Sequence, residues 1–390
     1  MLETAKRLLQ PSKRSDVPPF IVMDVMAAVG ALEAKGHHVV HMEVGQPDRP
    51  APAVALSAAQ AALSQRIGYT EALGMPSLRA RIARHYRDVY AYDLDPARVV
   101  VTTGSSGGFI LAFLSLFEPG DRVALANPGY PPYRHILTAL GCEPVLIATS
   151  AATRWAMSPE ALIEAHRKAP LAGLLVASPA NPTGTMMEVQ ALQRLISTAE
   201  GLGIKVISDE IYHGLDYAFA AETAVKLSDN VVIINSFSKY FCMTGWRVGW
   251  MVLPNELVRT VERLQQNFAI SVPTLSQIAA EAAFEGRAEM EEVKHGYQQN
   301  RRILTEGLPQ AGLDNFLPVD GAFYLYANIS KFSDDSLDFA KRMLNEAHVA
   351  ATPGLDFDPV DGRHYLRFCY SRSAADMHEA VKRIGAWLKR

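Results

Sequence analysis

Val231 to Trp250 reads VVIINSFSKYFCMTGWRVGW. The β-branched run Val231 to Ile234 predicts a buried strand, and Asn235 to Ser238 ends it with small polar residues just before Lys239. A second strand is expected from Gly245 to Leu253, carrying Arg247 with it. A lysine at the exit of a buried strand is costly unless it is paired, solvated or chemically used. Ser236, Ser238 and Arg247 surround it with hydrogen-bond donors and a fixed positive charge, a set suited to a phosphate dianion.

Working outward, apolar runs at 98–103, 122–126, 143–148, 172–177, 204–208 and 231–235 alternate with helical stretches such as Phe109 to Phe117 and Val189 to Ala199, with Gly141 and Gly203 marking helix ends. That order predicts an α/β fold: a mainly parallel sheet covered by helices on both faces. Upstream, residues 1 to about 19 read as a loose arm, Phe20 to Lys35 as a helix stopping at Gly36, and Pro76 to about Tyr86 as a further helix. Downstream, the pattern turns helical and polar around Glu289 to Leu308. A smaller α/β unit follows, with strands at Ala322 to Ala327 and His364 to Cys369 and a closing helix at Ala375 to Leu388. The expected division is a large domain over 46–284 and a small one built from 1–45 and 285–390, with the N-terminal helix packed on the C-terminal unit.

Composition excludes several function classes. The chain has 390 residues, enough for two domains, and 38 basic against 41 acidic residues leave a net charge of −3, which gives no electrostatic footprint for nucleic acid or a membrane surface. Cys142, Cys242 and Cys369 are too few and too scattered for a disulfide framework or a cysteine zinc site. No signal-peptide core and no apolar run of membrane-spanning length is present, so the cytoplasm is the expected compartment. His37, His38 and His41 in GHHVVHME lack a ligand spacing and are read as no metal site. Trp246 and Trp250 are read as core, and Glu291 to His295 as a solvated helix face.

Ligands of open parallel sheets bind beyond the carboxyl ends of the strands, and the unusual residues recur there. Gly104-Ser105-Ser106-Gly107-Gly108 opens a helix whose free N–H groups suit an anion, without the spacing of a dinucleotide fingerprint. Asn127-Pro128-Gly129-Tyr130 presents a ring able to stack on a flat heterocycle. Ser178 to Gly184, SPANPTG, is a stiff turn that fixes Asn181, whose amide can donate to a phenolate oxygen. Asp209 ends an apolar strand, where a protonated pyridine nitrogen is a fitting partner, and Tyr212 lies within reach of a ring hydroxyl. With Lys239 and Arg247, these five strand ends match one ligand, pyridoxal phosphate, held as a Schiff base.

The stretches SFSKYFCMTGWRVGW, SPANPTG, SDEIY, the GQPD turn and YLRFCYSRS resemble the class I pyridoxal-phosphate aminotransferases of the aspartate aminotransferase type, fold type I, over nearly the whole chain. The resemblance implies that Lys239 is the Schiff-base lysine and proton shuttle, that Asp209 pairs with the pyridine nitrogen, and that Asn181 and Tyr212 bond the ring hydroxyl. It implies a phosphate cup of Ser105, Ser106, Ser236 and Arg247, with Tyr130 as the stacking ring. Tyr69, in GYTEALG, would reach the phosphate from the other subunit of a homodimer. Arg367 would clamp the substrate α-carboxylate, assisted by Asn181 and the backbone of Gly45. Amino acid and 2-oxo acid substrates in a ping-pong cycle follow, with an aspartate or aromatic donor as the family-level expectation. A β-eliminating C–S lyase on the same fold is the alternative, and a regulatory relative without catalysis a further one. Ala180 departs from the polar residue of many members, Tyr240 and Cys242 fall where members vary widely, and none of Arg66, Arg363 and Arg372 matches a role toward a dicarboxylate side chain.

Overall fold

The computed structural model describes residues 10–390, so half of the expected N-terminal arm lies outside the described residues. In chain order the elements are α1 (Ile21–Glu33), β1 (Val40–Met42), α2 (Ala53–Ala62), α3 (Pro76–Tyr90), β2 (Val99–Thr102), α4 (Gly104–Leu116), β3 (Arg122–Asn127), α5 (Pro131–Ala139), β4 (Glu143–Ala148), α6 (Pro159–Lys168), β5 (Gly173–Ala177), α7 (Val189–Gly201), β6 (Lys205–Asp209) and β7 (Val232–Ser236). They continue with β8 (Gly249–Val252), α8 (Asn255–Phe268), α9 (Thr274–Ala283), α10 (Arg287–Ala311), β9 (Tyr324–Asn328), α11 (Ser336–Arg342), β10 (Val349–Pro353), β11 (Tyr365–Cys369) and α12 (Ala374–Leu388). Among the described residues no helix is long and apolar enough to cross a membrane.

The large sheet has seven strands in the order β2-β8-β7-β6-β5-β3-β4. Strands β3 to β7 pair in parallel, and β8 runs antiparallel to both its neighbours. Both faces are buried, which is why its strands read as unbroken apolar runs. Alternate side chains go to opposite faces: Val99, Val101, Ile233 and Trp250 pack with Leu78, Ile82, Leu162 and Leu195 of the helices on one face. Val100, Ile234 and Met251 pack with Phe109, Phe113, Leu137 and Val261 on the other.

A second sheet, ordered β1-β10-β11-β9, pairs β1 with β10 in parallel and the rest antiparallel. Leu304 and Leu308 of α10 and Met377, Ala380 and Ile384 of α12 cover it. Helix α1 lies against β10, where Val29, Val39, Leu344 and Ala350 form a small separate apolar cluster.

Two sequence expectations need correction. Arg247 is not on a strand: Thr244 to Trp246 form a single helical turn, Arg247 takes a left-handed backbone with φ 50°, and β8 starts at Gly249. Trp246, half-buried, belongs to that turn, whereas Trp250 is core. The helix after β2 begins at Gly104, so the glycine-rich stretch opens it, as expected.

Candidate active site

The carboxyl ends of β2, β3, β5, β6 and β7 open into one cavity of about 620 Å³. Its wall includes Gly45, Ser105, Ser106, Tyr130, Asn181, Asp209, Tyr212, Lys239, Arg247 and Arg367, ten of the residues singled out from sequence. Ser236 is not among them. It is buried one step behind, its Oγ donating to Ser238 Oγ at 2.9 Å and accepting from the Ser238 N–H at 3.1 Å, and Ser238 takes the place on the wall. Tyr69 stands apart on the surface of the chain, 82% exposed.

Lys239 emerges from the turn after β7, and its Nζ donates to the carbonyl of Gly45 at 2.6 Å. Burial lowers its pKa from 10.5 to about 8, because low-dielectric surroundings disfavour the ammonium form. It forms no ion pair among the described residues. Gly45 has no room for a side chain, since a Cβ there would lie 1.8 Å from the Tyr324 hydroxyl. Tyr324 in turn shares a 2.7 Å hydrogen bond with the hydroxyl of Tyr212.

Asp209, 2% exposed, is the last residue of β6. Burial raises its pKa from 3.8 to about 6, opposed by donors from the Tyr133 hydroxyl and the Ile211 N–H, the latter at 3.0 Å. A cation placed against it would hold it ionised.

Arg367, on β11, is 2% exposed and forms no ion pair among the described residues. Its guanidinium is sandwiched between the rings of Tyr324 and Phe357, at 4.5 and 4.6 Å. Nη1 donates to Asn181 Oδ1 at 3.0 Å, and Nη2 to Thr352 Oγ1 at 3.1 Å and to the Glu43 carbonyl, while Nε has no partner among the described residues. A buried guanidinium with an idle N–H is expensive to keep. A ligand carboxylate supplies both the charge and the acceptor.

The phosphate-type donors converge at the start of α4. Arg247 Nη1 donates to the Thr244 carbonyl at 2.9 Å. Its Nη2 lies so near Gly104 that a Cβ there would approach within 2.5 Å, and Gly104 has φ +68°. The open N–H groups of this helix end, Ser105, Ser106, Ser238 and Arg247 form a donor set on the cavity wall suited to an anion.

Sequence reading missed Tyr133, Tyr324, Phe20 and Met23, all on the wall. Tyr133 follows Tyr130 by three positions at the start of α5, which would have placed both on one helix face. The others come from elements distant in sequence, and no local signal marks them. Of the histidines of GHHVVHME, His37 and His38 are exposed, whereas His41 sits between Glu33 and Glu43, 2.9 Å from each, and these hydrogen bonds raise its pKa to about 9.

Beneath the site, His213 braces the turn that carries Asn181. Burial lowers its pKa from 6.5 to about 4, so it is neutral; Ser178 C=O can only accept, so Nε2 donates to it at 3.0 Å and Nδ1 accepts from Tyr90 at 2.8 Å. The folded pKa lies below the unfolded one. The unfolded chain therefore binds more protons between them, and stability falls as pH drops from 6.5 toward 4. At pH 5 the loss from this group is about 2 kcal/mol. Urea unfolding at pH 7 and pH 5 checks this, and His213→Gln should remove that part of the pH dependence; an unchanged slope would refute the assignment.

Three comparisons bear on this arrangement. The family model for aminotransferase class I and II matches residues 37–384. A valine–pyruvate aminotransferase of Mycobacterium tuberculosis is 47% identical over 96% of this chain and 97% of its own, and an aspartate aminotransferase of Pyrococcus horikoshii is 30% identical over 90% and 91%. The crystal structure of a putative aminotransferase from Silicibacter pomeroyi superimposes with a TM-score of 0.93 at 50% identity, covering 98% of this chain and 100% of that one. A match this long, on a fold that gathers these residues at one sheet edge, leaves a single conclusion: the chain belongs to the class I and II aminotransferases.

Proposed function

We propose that this aminotransferase works with pyridoxal phosphate bound in the cavity beyond β2 to β7, moving an amino group between an L-amino acid and a 2-oxo acid in a ping-pong cycle. The observation that carries the reading is Lys239, a buried amine with its pKa lowered to about 8, in one cavity with a buried carboxylate and an unpaired guanidinium. The donor set fits the cofactor. Ser105, Ser106, Ser238 and Arg247 would hold its phosphate, Asp209 its ring nitrogen, Asn181 and Tyr212 its ring hydroxyl, and Tyr130 its face. When bound, the cofactor supplies the electron sink that makes the substrate Cα proton removable.

The protein's own share is positional and protonic. Arg367 binds the substrate α-carboxylate with its charge and the Nε–H left idle by its neighbours, which fixes Cα relative to Nζ of Lys239. Lys239, with a pKa near the working pH, takes the proton from Cα and returns it. Tyr133 keeps a hydrogen bond on Asp209, which together with a ring cation offsets the cost of burying that carboxylate.

A homodimer completes the reading, with Tyr69 reaching the partner's phosphate site. Support comes from the exposed apolar residues Leu63, Ile67, Phe268 and Ile270 around it, since the Thr70 N–H bonds Ser271 Oγ at 3.4 Å and joins the two segments. We assign cofactor binding to residues 46–284 and the smaller domain to 1–45 with 285–390, following the two sheets, and the cytoplasm as its compartment.

The test is a steady-state assay with pyridoxal phosphate, an amino donor and a 2-oxo acid. Parallel double-reciprocal lines and stoichiometric 2-oxo acid from the donor are expected. Release of ammonia and pyruvate from a cysteine conjugate without any acceptor, and no amino transfer, would overturn the reading.

A further inference from the structure

Helix α1 buries just two residues, Val22 and Val29, yet its first turn reaches the catalytic cavity: Phe20, Val22 and Met23 are on the wall. Its start is held by one side chain from the far end of the sequence. Asp356, 1% exposed, accepts from the Ile21 N–H with Oδ1 at 3.1 Å and from the Val22 N–H with Oδ2 at 3.3 Å. These are two of the four N–H groups a helix leaves open at its start. The next residue, Phe357, is one of the two rings that sandwich Arg367, and Phe20 meets Tyr130 edge to face at 6.0 Å. Asp356 therefore joins the helix start to the residue that covers the carboxylate-binding arginine.

Among the described residues the cations on the cavity wall are Lys239, Arg247 and Arg367, each with a role already given. Arg372 is paired with Asp48 at 2.6 Å, and Arg66 and Arg363 are exposed elsewhere. Apart from the residues already given roles, the described wall is uncharged and mostly apolar: Phe20, Val22, Met23, Val44, Phe109 and Ile211, with Gln46 and Thr244 as its neutral polar members.

We propose that Asp356 is a positioning residue for substrate choice: by fixing the first turn of α1 it makes Phe20, Val22 and Met23 a wall that receives an aliphatic amino-acid side chain in preference to a second carboxylate. The proposal rests on Arg367 binding the α-carboxylate. A side chain longer than alanine's gains contact with the wall, and each added methylene is worth about tenfold in kcat/KM against such a surface. Aspartate meets the same wall with a charge that none of the described side chains on it is free to pair.

The test uses the holoenzyme and the half-reaction with donor alone, followed through the cofactor's absorbance, for L-alanine, L-2-aminobutyrate, L-norvaline, L-valine and L-aspartate. The best aliphatic donor should exceed alanine by about tenfold or more, and aspartate by more still. Asp356→Ala should collapse the aliphatic-to-alanine ratio to within about threefold and speed amide hydrogen exchange at residues 21–25, with Asp356→Asn intermediate because one acceptor remains. Phe20→Ala, which leaves the anchor intact, should lower the same ratio without faster exchange. A ratio unmoved by both Asp356→Ala and Phe20→Ala overturns the proposal, as does aspartate as the best donor, in which case loss of that preference in Arg66→Ala would locate the missing cation. Failure of every donor to react would instead count against the cofactor reading itself.

Discussion

Lys239→Ala is expected to abolish transamination, with a fall in kcat of at least about 10⁴, because in the proposed function it removes the general acid–base group and the covalent anchor at once. Arginine in its place keeps the charge but cannot give up a proton at working pH. The same amine sets a pH signature. Its ammonium form is disfavoured by burial, so the reactive neutral form grows about tenfold per pH unit below 8 and then saturates. Borohydride-trapped incorporation of pyridoxal phosphate into the apoprotein should therefore rise with pH and level off above about 8. A rate still climbing toward pH 10.5, or an adduct mapped to another lysine, would contradict the account.

Arg367→Ala is expected to lower kcat/KM by about 10² to 10⁴, the cost of breaking a buried, hydrogen-bonded charge pair. The loss should be similar for amino donor and 2-oxo acid acceptor, since both present the same carboxylate. Arg367→Lys recovers little: an ammonium cannot lie flat between Tyr324 and Phe357, nor reach Asn181, Thr352 and a carboxylate together. Initial rates for both half-reactions check this. A variant that loses turnover of the donor alone would show that Arg367 acts in a different way.

The large sheet was legible because its strands are buried on both faces and its candidate site residues cluster at or just past strand ends, where small and polar residues interrupt apolar runs. Lys239, Asp209 and Asn181 each follow such a break, and Asp209 and Lys239 stand within three residues of one. Strands β1 and β10 were not legible: VHM is three residues long and VAATP is mostly small, so neither carries a periodic signal. Tyr324 and Phe20 were hidden for another reason. Each lines the cavity through contacts across hundreds of residues of sequence, such as the Asp356 carboxylate on the Ile21 N–H, and spacing along the chain holds no trace of them. Ser236 and Ser238 are adjacent hydroxyls on a tightening turn, and which of them faces outward is decided by the fold of that turn.

The reversed strand β8 has one further effect. Its neighbours deliver their last residues to the ligand edge, whereas β8, entering from that edge, delivers what precedes its first residue, Arg247. Ser236 pairs with Gly249 across the β7–β8 ladder, so the amine and the guanidinium hang from a single hairpin whose loop acts as a yardstick between them. Drift elsewhere in the polypeptide leaves that span untouched, while inserting or deleting one residue between Lys239 and Arg247 would put the two charges out of step with any ligand that needs both.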